Sequence, residues 1–176
     1  SMGGMIAQEL ALKAQDRLLS LSLLVTHSGG PIRRKVPPLR GIRHFLRANL
    51  ARGRTRTAAV QALLYPDDFV KTTDQSALRD RIFAQFGRPT PRATLAAHLY
   101  AVTRHNTRRR LKRIRLPTLI MKAGKDILVQ PKSADRLHAA LPNSRLVYFP
   151  SAGHGLTFQL AAEVNAALYE HILANQ

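Results

Sequence analysis

Three short apolar segments constrain the fold of this chain more than any other feature of its sequence. They span residues 19–26, 116–121 and 145–149, and each has the length of a buried strand. Helical patterns lie before, between and after them, at residues 2–13, at residues 133–141, and in a last helix predicted to bury Ala161, Val164, Leu168 and Ile172. Strands separated by helices of this length pair in parallel through crossover connections. The sequence therefore predicts an α/β fold with about three parallel strands and flanking helices.

The region between the first and second of these strands differs from the rest of the chain in charge. Residues 33–115 contain 21 basic and 4 acidic side chains, a net charge of +17 out of +18 for the whole chain. Apolar residues recur there at helical spacing, and the sets that predict buried faces are Leu39, Ile42, Leu46 and Leu50; Leu78, Ile82 and Phe86; and Leu95, Leu99 and Val102. We predict a basic, all-helical cap at residues 32–115, between core segments at residues 1–31 and 116–176.

Composition excludes several classes of protein. The chain has no cysteine, so a disulfide scaffold, a thiol nucleophile, a zinc–thiolate site and an iron–sulfur site are all excluded. No apolar run reaches the roughly 18 residues that a membrane-spanning helix needs. Five histidines lie on predicted helices or their ends without the spacing of ligands, so we predict no metal site: these are His44, His98, His105, His138 and His171.

Three polar side chains lie where α/β enzymes place catalytic groups. Asp126 and His154 each follow a predicted strand, at the carboxyl edge where open α/β sheets bind ligands. Ser1 precedes two glycines and a helix, which is the second half of the G-x-S-x-G elbow that exposes a serine hydroxyl. We expect the position of Gly3 to require a small residue, because the helix and the neighbouring strand approach too closely there for a side chain.

Three segments resemble motifs of the α/β-hydrolase fold family. Residues 1–11 (SMGGMIAQELA) resemble its nucleophile segment, residues 124–131 (GKDILVQP) its acid loop, and residues 152–155 (AGHG) its histidine loop. The order Ser, Asp, His is that of the family, and the basic helical region lies where members insert a cap. The resemblance covers essentially the whole chain and implies the C-terminal part of an α/β-hydrolase fold.

The chemistry that this resemblance implies is that of a cofactor-free serine hydrolase. Such an enzyme would cleave a small or medium ester, lactone or thioester through an acyl-enzyme intermediate. By the resemblance, Ser1 is the nucleophile, His154 takes its proton, and Asp126 holds the imidazole in the correct tautomer. The backbone N–H of Met2 would supply one donor of the oxyanion hole. A serine nucleophile is unlike the aspartate of the family's dehalogenases and epoxide hydrolases.

The family's pattern is incomplete in this sequence. Members place several strands and helices, together with the first half of the elbow, before the serine. We therefore expect the chain to be the C-terminal portion of a larger enzyme, with an exposed edge strand and with full activity only when the missing half is present. The sequence contains no signal-peptide pattern, so we expect a cytoplasmic location.

Other interpretations of the same residues stay open. Ser1 followed by Met2 is also typical of a cloning remnant before an initiator methionine, and a terminal serine whose own amine is the base is a further alternative. Asp126 is also typical of a residue that stabilises a loop. His27 either lines a pocket or is an ordinary polar residue at a strand end.

The positive charge of the cap is compatible with more than one kind of binding partner. Residues 108–113 (RRRLKR) are consistent with a phosphate or membrane-headgroup contact and also with a solvated helix face. Aromatic residues interleave poorly with the arginines, which argues against binding of single-stranded nucleic acid. We expect a small-molecule acyl substrate, neutral or anionic. The alternatives to a hydrolase are a non-catalytic basic module that binds an anionic polymer or a membrane surface, and an inactive hydrolase fragment.

Overall fold

The structure is a computed structural model, and it describes residues 1–88 and 90–176. The helices of this part are α1 (Met2–Lys13), α2 (Ile32–Lys35), α3 (Leu39–Leu50), α4 (Gly53–Leu64), α5 (Asp67–Thr72), α6 (Gln75–Phe86), α7 (Arg92–Arg104), α8 (Lys132–Ala140), α9 (Leu156–Gln159) and α10 (Ala161–Leu173). The strands are β1 (Leu21–Leu24), β2 (Thr118–Ala123) and β3 (Ser144–Phe149), and short 3₁₀ turns lie at Gln15–Arg17 and Leu111–Arg113.

The strands form one parallel sheet in the order β1-β2-β3. Leu21 pairs with Thr118, and Thr118 pairs in turn with Ser144, so the three strands start at the same level. Helix α8 connects β2 to β3, while the long segment that contains α2 to α7 connects β1 to β2. The prediction of an α/β fold with three parallel strands is confirmed.

Alternating side chains of the central strand divide the core into two layers. Ile120 of β2 packs with Leu137 of α8 and with residues of α1 on one face of the sheet. Leu119 and Met121 point to the other face, where they pack with Val164 of α10. Because β2 is buried on both faces, its sequence is a nearly continuous apolar run and does not alternate between apolar and polar residues.

The helices after β1 have an apolar cluster of their own. Ala48 of α3, Val60 and Leu63 of α4, and Leu78 and Ile82 of α6 form it. This cluster is distinct from the two that cover the sheet, which supports our proposal that the region is a separate cap.

The predicted apolar faces of several cap helices are wrong. Leu39, Leu46 and Leu50 are 81%, 51% and 76% exposed, and α3 buries Gly41 and Ala48 instead. The reason is close packing, because a Cβ on Gly41 would overlap the backbone carbonyl of Ile127 and only a small residue fits there.

Other predicted faces differ from the structure in a similar way. Leu78 and Ile82 are buried as predicted, but Phe86 is exposed, and α7 buries none of its residues. In α10, Val164 is buried whereas Ala161 and Ile172 are exposed.

The segment that leads from the cap back to β2 packs with the core rather than with the cap. Leu111 and Ile114 are fully buried, in the same cluster as Leu23 and Leu137. The hydroxyl of Thr107 donates to Gln8 of α1 at 2.6 Å. We propose on this basis that the helical cap ends near residue 105, earlier than the boundary at residue 115 expected from charge.

Among the residues that the structure describes, no helix is both long enough and apolar enough to span a membrane.

Candidate active site at the carboxyl edge of the sheet

Asp126 lies in the loop that follows β2, and its carboxylate organises that loop. Its Oδ1 accepts hydrogen bonds from the backbone N–H groups of Leu128 at 2.7 Å and Val129 at 2.9 Å. A carboxylate that accepts from the backbone two and three residues later closes a tight turn. The side chain is 2% exposed, and its second oxygen faces the loop that follows β3.

His154 lies in that second loop, and its ring contacts Asp126 directly. Its Nδ1 is 2.8 Å from Asp126 Oδ2, and the imidazole is 10% exposed. An ionised carboxylate can only accept, so Nδ1 carries the proton and donates it. The neutral ring then has its lone pair on Nε2, which is the form that a general base needs.

Pairing of β2 with β3 continues into the two loops and explains why their side chains meet. The N–H of Gly124 donates to Phe149 O at 2.9 Å, and the N–H of Lys125 donates to Ala152 O at 2.8 Å. A Cβ on Gly124 would lie 2.9 Å from Pro150 Cα, so glycine permits this close approach.

Ser1 lies at the same edge of the sheet, on the other side of β1. Its amine donates to the carbonyl of Leu24, the last residue of β1, at 2.9 Å. Thr26 Oγ1 donates to Ser1 O at 2.7 Å. Burial lowers the pKa of this amine from 8.0 to about 6, and the Asp126 carboxylate acts on it in the opposite direction. The backbone of Ser1 is thus held beside the end of β1.

The structure brings Asp126 and His154 into contact and leaves Ser1 without a hydrogen bond to the imidazole. Among the hydrogen bonds of the described residues, none joins the Ser1 hydroxyl to His154. Met2 is the first residue of α1, so its N–H has no hydrogen-bond partner within the helix.

The expectation for Gly3 is wrong, because the close approach falls on the next residue. A Cβ on Gly3 would meet nothing within 4 Å, whereas one on Gly4 would lie 2.7 Å from Thr26 Cγ2. Helix α1 turns by about 100° per residue, and this rotation brings Gly4 rather than Gly3 against the segment after β1.

Among the described residues, two cavities of several hundred Å³ adjoin the acid loop. One of about 430 Å³ lies between the cap and the loops, and it is lined by residues 62–68 and by Arg40, Asp126 and Gly153 among others. The other, of about 490 Å³, has a largely apolar wall that includes Ile32 and Val36 and also reaches Asp126. Ser1 lines neither of them, so they adjoin the carboxylate side of the site.

An ion pair joins the cap to the acid loop, and another joins two helices within the cap. Lys125 Nζ lies 2.7 Å from an oxygen of Asp68 in α5, and Arg40 donates to both oxygens of Asp67 at 2.7 and 2.8 Å. The Lys125 partner holds the pKa of Asp68 below its usual range. These pairs are exposed, so each contributes little to the free energy of unfolding.

Sequence reasoning missed a buried polar network beside the site. His27 is buried, and its Nδ1 accepts from the backbone N–H of Gly29 at 3.0 Å. Gln8 donates to His27 O at 3.1 Å and accepts from Thr107. Burial, with the nearby His105 and Lys35, lowers the pKa of His27 to about 4. His27 lines neither of the two cavities described above. The sequence signal for the network is Gln8, a polar residue on the buried face of α1.

Comparisons with known proteins agree with this architecture. A family model described as the alpha/beta hydrolase fold matches residues 1–159. The chain belongs to the α/β-hydrolase fold family. The expected α/β-hydrolase fold is thereby confirmed, and the three-stranded parallel sheet is consistent with part of that fold.

Curated relatives of this α/β-hydrolase are bacterial hydrolases. The chain is 31% identical over 176 residues to the pimeloyl-[acyl-carrier protein] methyl ester esterase of Neisseria meningitidis serogroup B (strain H44/76), with 96% of this chain and 65% of the relative covered. It is 26% identical to the putative carbamate hydrolase RutD of Stutzerimonas stutzeri (strain A1501), with 98% and 63% covered. The chain spans between 54% and 65% of the length of the Neisseria esterases that it matches.

Solved structures show the same fold. A hydrolase from Pseudomonas aeruginosa PA01 superposes with a TM-score of 0.76 at 23% identity, covering 98% of this chain and 62% of that chain. At this identity the likeness concerns the fold alone.

Proposed function

We propose that this α/β-hydrolase is a serine ester hydrolase whose catalytic groups are Ser1, His154 and Asp126. The observation that carries the proposal is the largely buried hydrogen bond from His154 Nδ1 to Asp126 Oδ2, at the sheet edge to which Ser1 is also anchored. A carboxylate that orients an imidazole next to a serine is the arrangement that activates a hydroxyl as a nucleophile.

The proposed reaction proceeds in two steps through a covalent intermediate. Ser1 Oγ attacks the acyl carbon while His154 Nε2 takes the hydroxyl proton, and Asp126 stabilises the imidazolium. The Met2 N–H donates to the developing oxyanion. As the intermediate collapses, the alcohol leaves with the proton of His154. A water molecule then gives a proton to His154 as it attacks the acyl-enzyme. The bond between the acyl carbon and Ser1 Oγ breaks, His154 returns the proton to Ser1 Oγ, and the carboxylic acid is released. No cofactor enters these steps.

The basic segment between β1 and β2 favours an anionic substrate. Residues 33–115 carry a net charge of +17, and such a surface attracts anionic ligands over a distance set by ionic strength. The Neisseria relative is named for an ester borne on an acyl-carrier protein, and a carrier-borne acyl ester is therefore a substrate class that we propose. The RutD relative makes carbamates the second class to be tested.

The proposal is tested by ester hydrolysis in matched variants. Because the chain spans less than two thirds of its relatives, we would assay both the chain itself and a chimera that adds the part of the Neisseria esterase it does not match. We expect Ser1→Ala and His154→Ala to lower kcat by about 10³-fold or more. The controls are Ser151→Ala, at an exposed serine in the same loop as His154, and His98→Ala, at an exposed histidine of α7.

The result that contradicts the nucleophile assignment is turnover by Ser1→Ala equal to that of the unsubstituted protein. Anionic and neutral esters compared at low and high salt test the role of the cap, since only the anionic ester should lose kcat/KM as salt rises. If neither protein hydrolyses any ester but the chain binds DNA or anionic vesicles with steep salt dependence, the basic binding module replaces the hydrolase.

A further inference from the structure

The loop that carries His154 is in contact with the end of cap helix α4. The N–H of Gly155 donates to Leu64 O at 2.7 Å. A Cβ on Gly153 would lie 2.6 Å from Leu64 O and 2.8 Å from Pro66 Cδ. The glycines on both sides of His154 therefore allow backbone of the cap to approach the loop more closely than any other residue would permit.

Tyr65, the residue that follows Leu64, also contacts this loop. A Cβ on Gly155 would overlap its Cε1 and would lie 3.0 Å from both Cδ1 and Cζ, so the ring packs flat against the glycine. Gly155 has φ −83°, a value open to any residue, and its lack of a side chain is required by the ring and not by the backbone.

Tyr65 is itself held in place from both sides. It is 4% exposed, and its ring centroid lies 5.4 Å from that of Phe69 in α5 and 5.9 Å from that of Phe158 in α9. The Arg81 guanidinium of α6 lies 4.2 Å from the centroid of the Phe158 ring. Burial raises the pKa of the Tyr65 phenol, with Arg81 acting in the opposite direction.

The other end of the loop is fixed from within the core. Gln159 accepts from the N–H of Gly153 at 2.9 Å and donates to Ser151 O at 2.9 Å. The loop thus has a core anchor before His154 and a cap anchor after it, and the imidazole lies between them.

We propose that Tyr65 is a positioning residue, which acts through Gly155 to hold the His154 imidazole on Asp126. The catalytic consequence of this inference rests on the proposed function. The hydrogen bond between His154 and Asp126 is present whether or not the protein is a hydrolase. The cap would then take part in building the catalytic site in addition to covering it.

The test is a double-substitution cycle at Tyr65 and Gly155, applied to the same chain and chimera as above. The first measurement is the downfield proton NMR resonance of His154 Nδ1–H, assigned by its loss in His154→Gln. The second is kcat and KM for an ester. The variants are Gly155→Ala, Tyr65→Ala, the two together, and Tyr65→Phe. Tyr100→Ala, at an exposed tyrosine of α7, is the matched control.

We expect Gly155→Ala to shift or abolish the resonance and to lower kcat by about 10²-fold with a smaller change in KM, because displacement of a catalytic group by about 1 Å costs this much. Tyr65→Ala should have a similar but smaller effect. The double variant should be no worse than the more affected single variant, since removal of the ring makes room for the Cβ. Tyr65→Phe keeps the ring contact and should keep the resonance, as should Tyr100→Ala.

Several results would overturn the inference. They are an unchanged resonance in Gly155→Ala, effects of the two substitutions that multiply in the double variant, or a loss in Tyr65→Phe as large as in Tyr65→Ala. If Tyr65→Ala does not fold, the cycle is completed with Tyr65→Leu, which retains an apolar side chain. Failure of the proposed function alone would give a different result. Turnover would be unchanged in Ser1→Ala, while substitutions at Tyr65 and Gly155 would still shift the resonance.

Discussion

Replacement of Asp126 by asparagine and by alanine separates its two roles, because each oxygen of the carboxylate has a different partner. Oδ1 accepts from Leu128 N and Val129 N, and Oδ2 accepts from His154 Nδ1. Asparagine keeps an oxygen for the two backbone groups and places an amide N–H opposite His154. Alanine removes both sets of contacts and leaves two backbone N–H groups without their acceptor.

The magnitudes follow from these contacts. Each buried N–H left without an acceptor costs about 1–3 kcal/mol, and both groups are only partly buried, so we expect Asp126→Ala to lower the free energy of unfolding by about 3 kcal/mol. Asp126→Asn should lower it by about 1 kcal/mol. In Asp126→Asn the imidazole must accept at Nδ1 and carry its proton on Nε2, which is the wrong tautomer for a base, so kcat should still fall by about 10⁴-fold.

Urea denaturation followed by circular dichroism measures the first quantity, and ester turnover measures the second. The reasoning is refuted if asparagine destabilises the protein as much as alanine does, or if Asp126→Ala changes the free energy of unfolding by less than about 0.5 kcal/mol. Asp16→Ala, at an exposed aspartate of the first 3₁₀ turn, is the matched control.

Further predictions concern stability, measured by urea or thermal unfolding. Gly3→Ala should stabilise the protein by about 0.5–1 kcal/mol, because it adds a helix-favouring residue in open space. Gly4→Ala should destabilise it by about 1–3 kcal/mol through overlap with the segment after β1. Folding lowers the pKa of His27 from 6.5 to about 4. The stability contributed by the neutral side chain is therefore fully present above pH 6.5, and the free energy of unfolding should fall by about 3 kcal/mol as the pH falls towards 4. Glu9→Gln breaks the bidentate pair with Arg110 and should cost about 0.5–1 kcal/mol, less at high salt.

Each of these has an outcome that contradicts it. Equal effects of alanine at the two glycines would show that Gly4 is not in close contact. For the pH prediction, His27→Asn retains an acceptor for the Gly29 N–H but does not titrate, so it should flatten the stability profile between pH 4 and 6.5. An unchanged profile in that variant would assign the titration to other groups. Salt-independent stability loss in Glu9→Gln would indicate lost packing rather than a lost ion pair.

The parts of the fold governed by local pattern could be predicted from the sequence. The first helix was expected at residues 2–13 and spans Met2–Lys13, and each of the strands lies within a few residues of its predicted apolar run. These elements are buried in the sheet layers, where apolar periodicity and burial coincide. Asp126 and His154 were paired correctly because both follow strands that are neighbours in a parallel sheet.

The parts that depend on close packing between distant segments could not be predicted in this way. Helix α3 has a clear leucine stripe, yet it packs through Gly41 against the acid loop, so the stripe is exposed. Apolar periodicity identifies a helix, but it does not show where another segment packs so closely that only glycine fits. The same applies to Gly4 and to Gly155, whose contacts with Thr26 and Tyr65 join segments far apart in the sequence.

The account depends most on the claim that His154 and Asp126 activate the hydroxyl of Ser1. Labelling with a fluorophosphonate probe tests it directly, because the probe phosphonylates an activated serine and mass spectrometry of peptides locates the adduct. We expect one adduct, on Ser1, whose rate of formation falls by at least about 10²-fold in His154→Ala and in Asp126→Asn. An adduct on another serine, or labelling of Ser1 at the same rate in both variants, would contradict the account.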